Sequence, residues 1–520
     1  MSNISVQEDD PPLYRVTDAS VEVFRFHAPP TDPFTLGEIV VADDMAGQGT
    51  FFARVCGLAT GMHVGGTGHP IEVTAAQLGY TTTGGEFCPP KRVPASDARV
   101  RRPGHGDLGF LEAMMGEIEI GTLRGAVRQE EPDNGGYGVR CGLAGAVLTR
   151  HVGVFATTGM GKSNLMKVFA ASCMAMRKFG LLITDPHGEY LTGMGGALEK
   201  RTAGLLDLPS LVEGLAVFST SIANIPQSVA FQPLHLSYAD MEVSDLLLLY
   251  EFSPQVREVL DSILAFPAGE VILFFIDEGV DSLPSQLKVT SHVGKYPDLV
   301  YALRAARFEP LRVVERRIRS LVAETERFLS PHLSSVPPII SALAEGKVVV
   351  IDIPGLSERS ELLVLSVLAR AVLRHHQETT YSGRINARSG HQTVIVMEEA
   401  QRVLGKGESH GAAVFRECAM EGRKFGVGLC LITQQPKDID PRVLSQLNTL
   451  IIMGLADRFD REILAGNAKH DLSQMSAEIQ TLTRGEAVIS TIGVPFPISA
   501  RVHLFESYIR RFEGSNRSTP

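Results

Sequence analysis

Between Val154 and Lys167 the chain reads VFATTGMGKSNLMK, and its residue types and spacings can do chemistry on a phosphate. In a run Gly-x-x-x-x-Gly-Lys-Ser/Thr the backbone N–H groups wrap the phosphates, the lysine reaches the β and γ oxygens, and the hydroxyl sits on Mg2+. Gly159, Gly161, Lys162 and Ser163 stand where that cradle needs freedom of φ, a positive charge and a metal ligand, and Thr158, Met160 and Asn164 complete the loop. The first glycine of the pattern is replaced by Ala156, at the strand end, where a small residue suffices. ATP and Mg2+ are the cofactors such a loop implies.

The flanking elements must position the loop. HVGVF, His151 to Phe155, predicts a short apolar strand before it, and Leu165, Val168, Phe169, Cys173 and Met176 recur at helical spacing after it. The loop therefore opens a helix whose N-terminal dipole faces the phosphates. GLLITDPHGEY then supplies a second strand, Leu181 to Thr184, ending in Asp185. A glycine-rich turn without a ligand is the plain alternative; the strand–loop–helix–strand setting argues against it.

A phosphate loop also needs an apolar strand that ends in a carboxylate, to hold Mg2+ through water, and often a neighbour that activates the attacking water. Three runs compete: VILFFIDEGV with Asp277 and Glu278, VVVIDIPG with Asp352, and VIVMEEAQ with Glu398 and Glu399. The first fits best by pattern alone, but strand and helix do not alternate around it, and it reads as core packing inside a helical stretch. Asp352 is followed by Ile-Pro-Gly with no second carboxylate and reads as the end of a neighbouring strand. Glu398 and Glu399 precede a strand ending in ITQQP, where Gln434 can orient a water or sense the γ-phosphate.

Around this core the chain changes texture. From residue 1 to 145, runs such as LGEIVVADD, FFARVCGLA and GEIEIGTLRGAV alternate with Gly, Pro and Asp turns, which predicts a small antiparallel β barrel. From 146 to 236 strand and helix alternate as in a parallel sheet. Residues 237–335 interrupt with helical periodicity, strands resume over 336–500 at GKVVVIDIPG, QTVIVMEEAQ, GVGLCLITQQP and NTLIIMGL, and 501–520 reads as a tail. The fold class expected is α/β, a core split by a helical insertion and preceded by a barrel.

Composition excludes some classes. The acidic N-terminus MSNISVQEDDPPLY lacks the apolar core of a signal peptide, and no apolar run approaches the roughly 18 residues of a membrane span. Six cysteines without a Cys-x-x-Cys pair argue against a zinc site and a disulfide framework, so a cytoplasmic chain is expected. A formal net charge of −10 does not advertise a nucleic-acid binder, yet a ring that threads DNA needs positive charge only along its channel. Two basic stretches, PKRVPASDARVRRPGHG and ALRAARFEPLRVVERRIRS, read first as solvated faces.

The loop TTGMGKSN, the RH before its strand, DPHGEY, MEEAQ and above all EGRKFGVGLCLITQQPKDIDPRVLSQLNT resemble the HerA branch of the FtsK–HerA superfamily of hexameric DNA-pumping ATPases. That resemblance implies a RecA-like core, a homo-hexamer around double-stranded DNA, and a NurA-type nuclease or an antiphage defence effector as partner. It also implies roles: Lys162 on the transferring phosphoryl group, Ser163 and Glu398 on Mg2+, Glu399 polarising water, with the two glutamates exchangeable. Arg423 matches an arginine that reaches the neighbouring subunit's γ-phosphate, Arg150 and Asp185 match further active-site positions, and Gln434 matches the polar sensor. Ala156, Gln401 in place of a common histidine, and TQQP in place of Ser-Gln-Arg-Pro depart from the family pattern without removing a charge or metal ligand. A conjugation or secretion ATPase, a ring that scaffolds a defence complex, and a GTPase are the competing readings. The last lacks an Asn-Lys-x-Asp motif.

Overall fold

Strict alternation builds the first sheet: in Val23–Ala28 the residues Phe24, Phe26 and Ala28 are buried while Arg25 and His27 are exposed. The computed structural model describes residues 14–44, 49–60, 70–104, 106–125, 139–193, 201–221, 231–286, 295–382, 391–406 and 412–514. The first thirteen residues of the acidic N-terminus and residues 515–520 of the tail lie outside them. The chain divides into two compact units, Met1–Ala144 with Phe155–Lys162 and Asn448–His503, and Gly145–Val154 with Ser163–Leu447 and Leu504–Pro520.

In the first unit, Val23–Ala28, Tyr14–Ala19, Arg99–Arg101, Ile39–Asp44, Gly49–Thr60 and Ile71–Thr81 follow one another in space, and the last pairs back onto the first to close a six-stranded barrel. Phe24, Phe26, Phe51, Val40, Val73 and Val100 fill its core. The expectation that GEIEIGTLRGAV joins the barrel is corrected: Ile118–Leu123 pairs antiparallel with Arg140–Leu143 and with Ile498–Val502. Gly121 makes this possible, because a Cβ there would lie 2.0 Å from the Arg501 carbonyl oxygen. Thr449–Ile452 and Glu486–Thr491 complete this second, antiparallel set of strands.

The second unit holds a sheet in the order Phe231–Pro233, Leu215–Ser219, Val348–Asp352, Phe179–Asp185, Gln392–Met397, Val427–Thr433, Val152–Phe155. The five pairings among its first six strands are all parallel. Val348–Asp352 and Val427–Thr433 are buried along their whole length, as strands covered on both faces must be. The strand Val427–Thr433 lies between the strand that feeds the glycine loop and the strand that ends at Glu398 and Glu399. Four residues of the α/β core thus reach one edge of the sheet: Asp185, Glu398, Glu399 and Gln434 all sit at or just past the C-terminal ends of parallel strands.

Helices dominate residues 237–335. VILFFIDEGV, strand-like by pattern, forms the helix Ala268–Asp277, which buries Val271, Ile272, Phe274 and Phe275, so Asp277 ends a helix and not a strand. The stretch expected to be a tail is also corrected: Phe505–Gly514 is a helix whose Phe505 and Tyr508, one turn apart, are buried. Among the described residues no single helix is long and apolar enough to cross a membrane.

Candidate active site

The glycine loop connects the strand Val152–Phe155 to the helix Lys162–Met176, as its sequence predicts. Its backbone is pinned from outside: Met453 N–H donates to the Phe155 carbonyl at 2.8 Å, Thr157 N–H to the Gly454 carbonyl at 3.1 Å, and Gly485 N–H to the Met160 carbonyl at 3.1 Å. Gly159 and Gly161 adopt φ of 82° and 102°, where a side chain is strained. A Cβ on Gly159 would meet nothing within 4 Å, and one on Gly161 nothing nearer than the Met453 methyl at 3.7 Å. Among the described residues nothing crowds the space beside these two glycines. Ala156 is wholly buried at the strand end, so its methyl group packs in the core and not in the cradle.

Lys162 is the first residue of the helix, whose first-turn N–H groups have no intrahelical acceptor and attract anions. Among the described residues no hydrogen bond or ion pair holds its ammonium group. Ser163, next in the chain, donates its hydroxyl proton to the carboxylate of Glu189. Asn164 turns the other way: its Oδ1 accepts from the Phe505 N–H at 2.9 Å and so ties the start of the loop helix to the C-terminal helix.

Asp185 ends its strand in the interior, and its Oδ2 accepts from the N–H groups of Tyr190 and Leu191 at 3.1 and 2.9 Å. Burial pushes this carboxyl up to about 6, against the pull of the Leu191 amide and with a further push from Asp352, its partner in strand register. Asp185 thereby holds the turn in which Glu189 and Tyr190 are consecutive. Tyr190, almost fully buried, donates its hydroxyl proton to Glu398 Oε1, and burial followed by that carboxylate raises its pKa well above the usual phenol value.

Glu399 is one of three non-glycine described residues with left-handed backbone, at φ 46°. Such a conformation costs about 1–3 kcal/mol and persists where the surroundings enforce it. Here Gln401 Nε2 donates to Glu399 Oε2 at 2.7 Å, while the Thr433 hydroxyl donates to Gln401 Oε1 at 2.7 Å. Gln434 Nε2 donates to the other oxygen, Oε1, at 3.3 Å.

Arg423 is exposed in the last turn of the helix Ala413–Phe425, and among the described residues no carboxylate pairs with it. Arg150 directly precedes His151, a buried residue at φ 58° whose Nδ1 accepts from the Leu429 N–H at 3.0 Å.

The structure thus brings Ser163, Asp185 and Glu398 together through the turn 185–191, and Glu399 together with Gln434, while Arg423 stands apart from these bonds. Sequence reasoning missed Glu189, Tyr190, Gln401 and Thr433. DPHGEY contained the first two as a carboxylate and a phenol four and five residues past a strand-end aspartate, and only the fold shows what they touch.

The residue types fit a magnesium nucleotide: glycines and a lysine at a helix start suit phosphates, and Ser163, Glu398 and Glu399 offer the hard oxygens that Mg2+ takes. Among the described residues no three His, Cys, Asp or Glu side chains form a group that could hold a metal ion by themselves.

Residues 118–372 match the family described as the central domain of helicase HerA. A probable helicase of Methanocaldococcus jannaschii is 23% identical over 417 residues, 77% of this chain and 73% of that protein. The DNA double-strand break repair helicase HerA of Pyrococcus furiosus is 26% identical over 453 residues, 80% of this chain and 75% of that one. Among solved structures, the bacterial conjugative coupling protein TrwB superposes with a TM-score of 0.46 at 14% identity, over 78% of this chain and 94% of its own. The resemblance to the HerA branch that the sequence motifs carry is borne out along most of the chain.

Proposed function

We propose that this chain, similar to HerA-type helicases over most of its length, is an ATP-driven motor on double-stranded DNA that works as a ring of six copies with a NurA-type nuclease in DNA end processing. One observation carries the chemical half of the reading. The hydroxyl that follows Lys162 and the carboxylate Glu398 are both engaged by consecutive residues of one turn, beside a strained Glu399 held by two glutamines.

In this reading the loop amides and Lys162 bind the phosphates, and Ser163 and Glu398 hold Mg2+, which when bound offsets charge on the phosphate oxygens. Glu399 takes the proton of the attacking water, and Gln434, already bonded to it, orients that water. Asp185 supports the site from the turn, and the family resemblance assigns Arg150 to it. Arg423 acts on the neighbouring copy's phosphate.

The test is the ATPase rate of the purified chain with and without duplex DNA, repeated in the presence of the neighbouring gene's product. Duplex DNA should raise turnover. A chain that hydrolyses ATP at a rate indifferent to DNA, alone and with that product, contradicts the motor reading.

A further inference from the structure

Two consecutive side chains of the turn 185–191 reach two different groups that the proposed function places on Mg2+: Glu189 accepts the proton of the Ser163 hydroxyl, and Tyr190 donates to Glu398 Oε1. We propose that this turn is the outer shell of the metal site, with Glu189 and Tyr190 as positioning residues that fix the orientation of the hydroxyl and the carboxylate; the proposal rests on the reading of Ser163 and Glu398 as ligands.

The argument is one of lone pairs. A serine hydroxyl has one proton and two lone pairs, and a metal ligand must present a lone pair. With its proton committed to Glu189, Ser163 keeps both lone pairs for other directions. Without that acceptor the hydroxyl rotates freely and can turn its proton toward the metal. Tyr190 acts on Glu398 in the complementary sense, satisfying one oxygen and holding the carboxylate plane. Outer-shell bonds of this kind typically change metal affinity by about 10–100-fold when removed.

The turn is built to be rigid. Asp185 Oδ2 accepts from two of its amides, and Tyr190 and Leu191 are 3% and 1% exposed. Lys167, one helical turn past Ser163 and 5% exposed, donates to the Ala203 carbonyl at 2.7 Å, and burial holds its pKa below the usual lysine value against the opposing pull of Glu506 and Glu189. Glu189 therefore sits between the Ser163 hydroxyl and a buried lysine.

The experiment measures binding of a fluorescent ATP analogue to the full chain, first in EDTA and then across a magnesium titration, for wild type, Glu189→Gln, Glu189→Ala and Tyr190→Phe. The expected result is nucleotide affinity in EDTA within about twofold of wild type, with half-saturating magnesium raised about 10-fold or more in Glu189→Ala and Tyr190→Phe, and less in Glu189→Gln, whose amide oxygen still accepts. Adding Glu189→Ala to Ser163→Ala should shift the magnesium requirement no further. Unchanged magnesium dependence in both Glu189→Ala and Tyr190→Phe overturns the proposal, as does equal loss of affinity with and without magnesium in Glu189→Gln. A wild-type chain that binds no nucleotide under any condition sinks the ATPase reading itself, which is a separate outcome.

Discussion

Gln434 donates to one carboxylate oxygen of Glu399 at 3.3 Å, and Gln401 takes the other at 2.7 Å. Each carboxylate oxygen of Glu399 thus accepts one hydrogen bond, and in the proposed mechanism the carboxylate takes a proton from water. Glu399→Gln preserves shape and removes the basic oxygen. The variant should bind nucleotide with magnesium as wild type does and hydrolyse it about 10²–10⁴-fold more slowly. Asp277→Asn, at the end of a helix in the insertion, should leave turnover unchanged. Steady-state ATPase rates beside a nucleotide-binding titration distinguish the two.

The backbone of Glu399 yields a second expectation. Its φ of 46° is a cost that glycine does not bear, so Glu399→Gly should abolish turnover while leaving the unfolding midpoint unchanged or higher. Relief of about 1–3 kcal/mol of strain is set against the two lost side-chain hydrogen bonds and the freer unfolded chain of a glycine. A midpoint several degrees lower would mean that Glu399 serves stability, contrary to a functional reason for its strain. Thermal unfolding followed by circular dichroism measures this directly.

How much of this could be read beforehand follows from range. The strands and the loop were legible because apolar runs ending in Asp185, Glu398 and Thr433, and glycines ahead of Lys162, are local signals. The choice of Glu398 and Glu399 over Asp352 rested on neighbouring polar residues, and the sheet order gives an independent reason: a single strand separates theirs from the loop strand, whereas the strand of Asp352 lies further along. What escaped were pairings across distance. Ser163 to Glu189 and Tyr190 to Glu398 join residues 26 and 208 positions apart, and no period in the sequence encodes them. Ile118–Leu123 was misplaced for the same reason, since its partner Ile498–Val502 comes nearly 400 residues later and an alternating strand looks alike in either sheet. VILFFIDEGV was ambiguous by pattern alone, because a run apolar on all sides serves a strand or a buried helix equally, and its helical surroundings gave the right reading, core packing inside the insertion.

His151 sets a pH dependence on the second unit. Its Nδ1 must accept from Leu429 and its other nitrogen faces the Ala419 carbonyl, so the ring is needed neutral, and burial pushes its pKa down to about 4, with Arg423 adding to the fall. The unfolded chain's histidine titrates near 6.5. The native contribution is therefore complete above about pH 6.5 and is lost as pH falls from there toward 4, at up to about 1.4 kcal/mol per unit. His376, also pushed to about 4 by burial, adds in the same direction, while Asp185, raised to about 6, takes a proton in the native state and opposes it. Denaturant midpoints should fall between pH 7 and pH 5. His151→Asn, which tolerates the left-handed φ, should be less stable at pH 7 and show a shallower fall. An equally steep fall in the variant would remove His151 from this account.

Arg423 bears on assembly. It is exposed at the C-terminal end of the helix Ala413–Phe425, where a cation suits the helix dipole, and Gly426 caps that helix before the chain enters the strand leading to Gln434. Among the described residues no carboxylate engages it, so its guanidinium is available to a partner outside its own chain. An arginine supplied to a neighbour's phosphate can raise turnover by about 10³–10⁵-fold, and only when the copies are docked. Lys162→Ala and Arg423→Ala should each be inactive by themselves, while Ala156→Gly, which touches only a buried methyl group, should stay within a few-fold of wild type. Mixed after subunit exchange, the two inactive proteins form rings in which some interfaces pair an intact Lys162 loop with an intact Arg423, and partial ATPase activity should return. The return should follow the statistics of mixing, greatest near equal amounts and absent when exchange is blocked by cross-linking. Full activity of Arg423→Ala alone, or no recovery in a mixture whose exchange is verified by mass spectrometry, would remove the arginine from the shared site and leave it a solvated residue at a helix end.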